Sequence, residues 1–383
     1  YNDTIRYFLT WDAAAVPKRY RPYSNTDYEA QAPSPWGWHR SVKAYKTIFW
    51  AGLLEPWLQQ QGIGTSLSAM LESEGFGGLP LFVNAPNAPN IEHGAVVPTP
   101  SAYQGPGAPE AFVEATTAAQ NNAGNGFWLN HHTQWYLGSS ATGPLLLDTV
   151  FNGARTVRGR FYLPAASLGP TTTIAFRAPY DLNDPGNPMH VGNYVPDYLD
   201  WQALSNVMIR YARTFNAVGA GPLEWEVPPG SGPLLRVDLT GFAGTPVVHV
   251  EGDSLRRVLP TLEGGAWKCI FPRAPGSQDT KVRVFAQEGV QAVTALRPAT
   301  PSGYFTDFAA QQADSAMLIV THGSLMNGAL AYAAYRESSQ TNRYQTLVAD
   351  VDELYDQYGG GIPKHAYAIR AFSRHMLQAL PTP

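Results

Sequence analysis

Residues 316–380 read AMLIVTHGSLMNGALAYAAYRESSQTNRYQTLVADVDELYDQYGGGIPKHAYAIRAFSRHMLQAL, and this stretch decides the architecture of the C-terminal part of the chain. The apolar run Ala316–Val320 has strand composition and closes on Thr321-His322-Gly323. Leu325 to Ser338 has helical spacing, and Tyr344 to Asp350 alternates and is rich in strand formers. Val351 to Tyr358 reads as a second helix, stopped by Gly359-Gly360-Gly361, and Pro363 opens a final one. Strand, helix, strand, helix over so short a span is the pattern of parallel strands joined by a crossover helix.

Outside this stretch the composition points to β structure. The 383 residues contain 36 Gly, 32 Pro, 20 Tyr and 10 Trp, with 44% hydrophobic and only 15% charged residues. That mixture suits short strands with ordered loops. From Leu145 to Phe285, strand-like runs alternate with turn residues. They fall at 145–151, 156–163, 171–177, 190–195, 206–214, 223–227, 234–239, 247–251, 255–262, 267–271 and 281–285. The expected fold is an antiparallel β-sandwich of jelly-roll type, followed by the first βαβα unit of an α/β domain. Asp3–Trp11 alternates as a strand, Lys43 to Leu58 has some helical spacing that Pro56 stops, and Asp307–Asp314 reads as a short helix. The expected divisions are an N-terminal segment 1–60, a sandwich 61–298 with a long loop insertion at about 79–130, and the α/β piece 303–383.

The net charge of −4 comes without any Lys/Arg run, so no nucleic-acid footprint is expected. No run of 18 apolar residues suggests a membrane-spanning helix. The start, Tyr1-Asn2-Asp3, lacks Met and a signal peptide and reads as an interior starting point.

"LIVTHGSLMNGALAYAAYRES" and "VADVDELYDQYGGGIPKHAYAIRAF" resemble the start of the peptidase domain of gingipain-type cysteine peptidases, in the subgroup associated with type IX (Por) secretion in Bacteroidetes-like bacteria. Asp3–Trp11, Leu71–Gly78 and Met189–Trp201 resemble segments upstream of that domain, although Ser73 replaces a glycine of the pattern. The resemblance implies a secreted or cell-surface bacterial protein and a caspase-like sheet with a His and a Cys on loops after later strands. Those strands are not in this chain, so no catalytic, cofactor-binding or metal-ligating residue is assigned. The implied partner is the remainder of the peptidase domain, covalently joined or not, with secretion or cell-surface proteins as further partners. The alternative is a non-catalytic cell-surface module whose aromatic residues Trp36, Trp38, Trp50, Trp57, Trp128 and Trp135 stack on sugars or on a protein.

Several residues invite a functional reading. His322 follows a strand, where α/β sheets place their sites, but it precedes the segment after which a catalytic His is expected; capping the strand is the plainer role. Cys269, the single cysteine, lies in the alternating run Trp267–Phe271 and reads as an inert core thiol. His131 and His132 are adjacent in a strand, face opposite ways, and make a poor shared metal site. Glu72 and Glu74 would share a strand face as a cation or carbohydrate contact, or more plainly as a solvated pair. Asp350, Asp352, Glu353 and Asp356 suit a helix N-terminus, and a Ca²⁺ site remains open to them. Gly359–Gly361 follows a helix and reads as its C-cap, and there is neither a Gly-x-Ser-x-Gly elbow nor a Walker loop.

Overall fold

The structure, a computed structural model, describes residues 6–9, 19–50, 75–83, 91–119, 131–182, 200–218, 222–311, 316–341 and 343–379. The chain forms two compact units, one of residues 18–66 and 71–291 and one of residues 1–17, 67–70 and 292–383.

The larger unit is built on strands β1 (Arg21–Tyr23), β2 (Gly37–Ala44), β3 (Ile48–Trp50), β4 (Gly75–Gly77), β5 (Pro80–Val83), β6 (Glu92–Pro98), β7 (Ala111–Ala119), β8 (His131–Leu137), β9 (Leu145–Phe151), β10 (Thr156–Leu163), β11 (Thr171–Arg177), β12 (Asp200–Arg213), β13 (Leu223–Val227), β14 (Leu234–Thr240), β15 (Pro246–Glu251), β16 (Leu255–Val258), β17 (Thr261–Glu263), β18 (Ala266–Pro272) and β19 (Thr280–Ala286). One long sheet runs β1-β16-β15-β19-β13-β2-β12-β7-β10, with β5 also on β12. A four-stranded sheet, β6-β11-β8-β9, and a three-stranded sheet, β14-β18-β17, complete two sandwiches. All pairings in these three sheets are antiparallel except β1 on β16.

Alternation builds two cores on this one sheet. Leu81, Val113, Phe161, Leu204, Ile209 and Tyr211 of the long sheet pack against Val97, Trp135, Ile174 and Phe176 of the four-stranded sheet. Trp225, Val248, Val250, Val282 and Val284 pack against Leu235, Val237, Cys269 and Phe271 in the second. Gly159 lets the first core close: a Cβ there would stand 2.9 Å from the Trp135 indole nitrogen and 3.0 Å from Leu147. Strand β2 joins the halves, pairing with β12 on one side and β13 on the other. On β12 the core-facing set is Asp200, Gln202 and Leu204 before a β-bulge at Leu204/Asn206, and Val207, Ile209, Tyr211 and Arg213 after it, with Ala203 and Ala212 buried on the other face. The extra residue reverses the alternation and so keeps both sets facing inward.

The expected runs at 145–151, 156–163, 171–177 and 223–227 match β9, β10, β11 and β13 residue for residue. Others differ for local reasons. Strand β12 begins six residues before the expected 206, because the bulge breaks the period of two. The run 255–262 is two strands separated at Leu259-Pro260. Residues 43–50 are the end of β2 and β3, not a helix: pairing of Lys43 and Ala44 with Val207 and Asn206 overrides a weak helical period. The stretch expected as loop at 79–130 contains β5, β6 and β7. Strand β7, AFVEATTAA, has alanines where β-branched residues would signal a strand, yet it is flanked on both sides by β10 and β12. Small side chains fit there because both of its faces are largely buried. Residues 6–9 are not strand, and residues 308–311 form a turn where a helix was expected. The run 190–195 lies outside the described residues.

The smaller unit contains β20 (Ala316–Thr321), α1 (Met326–Ser338), β21 (Gln345–Asp350), α2 (Val351–Tyr358) and α3 (Ala366–Ala379). Strands β20 and β21 pair in parallel from Ala316↔Gln345 to Thr321↔Asp350, with α1 as the crossover. One face of the pair (Ala316, Leu318, Val320, Leu347, Ala349) packs on Leu354 of α2, Phe372 and Met376 of α3, and Phe308. Helix α2 ends as the glycines predict: the Gly359 and Gly361 amides both donate to the Tyr355 carbonyl, and Gly360 and Gly361 have φ of +63° and +77°. Helix α1 contrasts with its neighbours. Only Ala333 is buried, while Leu330, Tyr332 and Tyr335 are exposed.

Candidate functional site

The parallel pairing brings the carboxyl ends of β20 and β21 side by side, so that His322, Ser324, Asp350 and Asp352 share one edge. His322 is an N-cap: its Nδ1 accepts the Ser324 amide at 3.2 Å and lies 2.8 Å from Ser324 Oγ. Accepting an N–H at Nδ1 leaves the ring hydrogen on Nε2, which faces Asp352 Oδ2 at 3.5 Å. Both side chains are more than half exposed, so that contact contributes little. The ring caps the short turn Gly323–Leu325 that follows the strand, where a cap of the strand itself was expected.

The neighbouring carboxylates have separate tasks. Asp350 caps α2 by accepting the Asp352 amide at 3.0 Å. Glu353 accepts the amide and hydroxyl of Thr306 at 2.5 and 3.2 Å. Asp356 pairs with Arg6 at 2.5 Å. Among the described residues no group of three or more His, Cys, Asp or Glu is placed to hold a metal ion.

Cys269 is fully buried in the second core, its Sγ donating to the Val237 carbonyl at 3.4 Å. Burial, with Asp238 nearby, pushes its thiol far above the usual range, so it holds no thiolate at neutral pH.

The least expected polar constellation is in the first core. His131 Nδ1 lies 2.7 Å from Asp200 Oδ1 with both side chains fully buried, and the ring stacks on Phe151 at 4.9 Å. Asp200 Oδ2 accepts the His132 amide and Gln202 Nε2, both at 3.0 Å. Gln202 also donates to the His132 carbonyl at 3.1 Å and accepts from Thr133 Oγ1 at 2.6 Å. These bonds tie β8 of the four-stranded sheet to β12 of the long one. The His132 side chain leaves on the opposite face, as adjacent strand residues must. There its Nε2 is 2.6 Å from Asp148 and its Nδ1 2.8 and 2.9 Å from the two oxygens of Asp181. Burial would lower its proton affinity, but Asp181 and Asp148 outweigh burial and hold it above the ordinary 6.5. Sequence reasoning weighed the two histidines only as metal ligands and missed this network. Its one local signal is three polar residues, His131 to Thr133, at the start of a strand with both faces buried.

Arg213 is a second such feature, 3% exposed, donating to His39 Nε2 at 3.3 Å and the Asn216 carbonyl at 3.0 Å over the Trp225 ring. Of the tryptophans offered as a stacking surface, Trp135 is fully buried. Trp36 and Trp38 are half-buried and meet edge-on at 5.0 Å, with the Arg210 guanidinium 4.4 Å over Trp38. Glu72, Glu74, Trp57, Trp128 and the Trp50 side chain lie outside the described residues.

A model of peptidase family C25 matches residues 310–382. The fold is similar to that in the crystal structure of dimeric latent PorU from Porphyromonas gingivalis, with a TM-score of 0.53 and 14% identity, over 94% of this chain and 30% of that one. The chain thus spans about 30% of the length of that protein. The subviral particle protein VP2 of infectious bursal disease virus gives a TM-score of 0.16 at 7% identity, over 65% of this chain and 64% of that one. Comparison with curated protein sequences finds no match. Residues 310–382 are thus similar in sequence to peptidase family C25, the gingipain family.

Proposed function

We propose that this chain is the front portion of a secreted, gingipain-like cysteine peptidase of a type IX secreting bacterium. Its smaller unit starts the peptidase domain, and hydrolysis of peptide bonds requires completion by further polypeptide that brings a Cys and a His. The observation that supports this reading is the narrow, thinly covered sheet of the α/β unit. Among the described residues, β20 and β21 pair only with each other, and α1 leaves Leu330, Tyr332 and Tyr335 in solvent. Parallel strands are otherwise found in larger sheets covered on both faces, and an apolar helix without a polar face is one that gets covered. Added strands and helices would satisfy both. A thiolate made by a neighbouring imidazole would then attack the scissile carbonyl near the carboxyl ends where His322 and Asp350 lie.

The larger unit is the non-catalytic part, positioning substrate or docking to secretion or cell-surface proteins. Its support is that Cys269, His131 and His132 are all buried and engaged. No helix among the described residues is long and apolar enough to cross a membrane. The reading is tested on the native protein by intact mass, peptide mapping and a thiol-directed peptidase probe. A species heavier than this 383-residue chain, labelled on a cysteine other than Cys269, supports it. A native species of this mass, without a co-purifying partner and unlabelled, refutes it and leaves a surface module.

A further inference from the structure

The His132 ring is 2% exposed, yet both of its nitrogens lie within 2.6–2.9 Å of carboxylate oxygens. A neutral imidazole has one N–H, so it can donate to only one of them; the other nitrogen would oppose a carboxylate lone pair to lone pair. Only the doubly protonated ring satisfies both. The two carboxylates belong to different elements. Asp148 is on β9, an edge strand of the four-stranded sheet, and Asp181 is on the segment that follows β11. We propose that His132 is a proton-operated latch, clamping the edge strand β9 and the segment around Asp181 onto β8 while it carries both ring protons, and loosening them when it gives one up.

The other polar and charged groups placed on this face among the described residues are few. Asp148 also accepts from Gln134 Nε2 at 3.1 Å, and Gln134 accepts from Tyr136 at 2.8 Å. Arg177, paired with Gln134 across β11, and Glu92, paired with Arg177 across β6, are the other charged groups of this face. Glu92 accepts the Ala141 amide. Asp200 and His131 lie on the opposite face of β8, where Asp200 touches His132 only through its amide. The ring proton is held more tightly in the closed form than in an open one, where the imidazole is near 6.5. As pH rises above that value the open form loses its proton first. Opening is then favoured about tenfold per pH unit until the closed form titrates too, and no further beyond.

The test uses the full chain. Imidazole NMR, assigned by the signal lost in His132→Gln, reads the titration. Hydrogen exchange of peptides covering 145–151 and 178–182, normalised to unfolded peptide at each pH, reads the opening. The expected result is a His132 titration above 6.5, with protection in both peptides falling as pH rises from 6.5 to that titration and levelling above it, while β12 peptides are unchanged. Asp181→Asn and Asp148→Asn, which keep the shape and remove one charge, are expected to shift the titration down and the exchange step with it; they serve where His132→Gln does not fold. A titration at or below 6.5, or protection that does not fall between 6.5 and the titration, overturns the latch. So does an equal change in the His132→Gln protein.

Discussion

Asp200→Ala is the substitution whose cost follows most directly from the coordinates. The carboxylate is fully buried and accepts from three donors that are themselves buried: the His131 ring, the His132 amide and the Gln202 side-chain amide. Truncation to a methyl takes one acceptor from each of the three in the first core, while Gln202 keeps the His132 carbonyl. Each orphaned buried donor costs about 1–3 kcal/mol. Partial relaxation around Gln202 trims the sum, so roughly 3–6 kcal/mol is expected, in the range found when one member of a buried pair is removed. Asp200→Asn keeps the shape and one acceptor oxygen but turns an N–H₂ toward one of the donors, for about 2 kcal/mol. The assay is urea unfolding followed by tryptophan fluorescence, which reports the larger unit because all tryptophans except Trp11 fall in its segments. Alanine is expected to cost more than asparagine, and Gln202→Leu combined with Asp200→Ala less than the two separately. An Asp200→Ala protein within about 1 kcal/mol of the parent would mean that the network is not made in solution.

Three further outcomes are expected. Alkylation of Cys269 at neutral pH should be negligible in the folded protein and stoichiometric in urea, since burial suppresses both access and the thiolate; rapid labelling of the native protein would contradict its place in the core. Asp350→Ala should lower the stability of the smaller unit by about 1 kcal/mol and raise hydrogen exchange over 351–358, with Asp350→Asn close to the parent, because the lost interaction is an N-cap; exchange unchanged in both variants would count against the cap. Gly361→Ala should cost about 1–2 kcal/mol in the same unit, since φ is +77° and a Cβ would stand 2.8 Å from Arg6 Cβ; a thermal midpoint equal to the parent's would show that the turn relaxes.

Much of the smaller unit was legible because its signals are local. An apolar run, a helical period, a capping aspartate and three glycines each act within a few residues of themselves, and the chain from Met326 to Tyr358 follows them almost to the residue. The family pattern lies in the same stretch. The strands from Leu145 to Thr280 were legible for a similar reason, as turn residues separate segments of clean alternation. Strand β7 was not, since an alanine-rich segment acquires strand conformation only from the two strands that flank it. Strand β12 was half legible, only from the bulge onward, because the bulge reverses its alternation.

The sequence by itself determined the fold class, the order of most elements and the inert setting of Cys269, because hydrophobic period and turn chemistry act over short distances. Tertiary structure alone decided that one long sheet serves two cores, and that His131 and His132 meet Asp200, Asp148 and Asp181. Those partners are 69, 16 and 49 residues away. Pairing across such separations is set by sheet register and by what burial leaves unsatisfied, and neither is written in the neighbours of a residue along the chain.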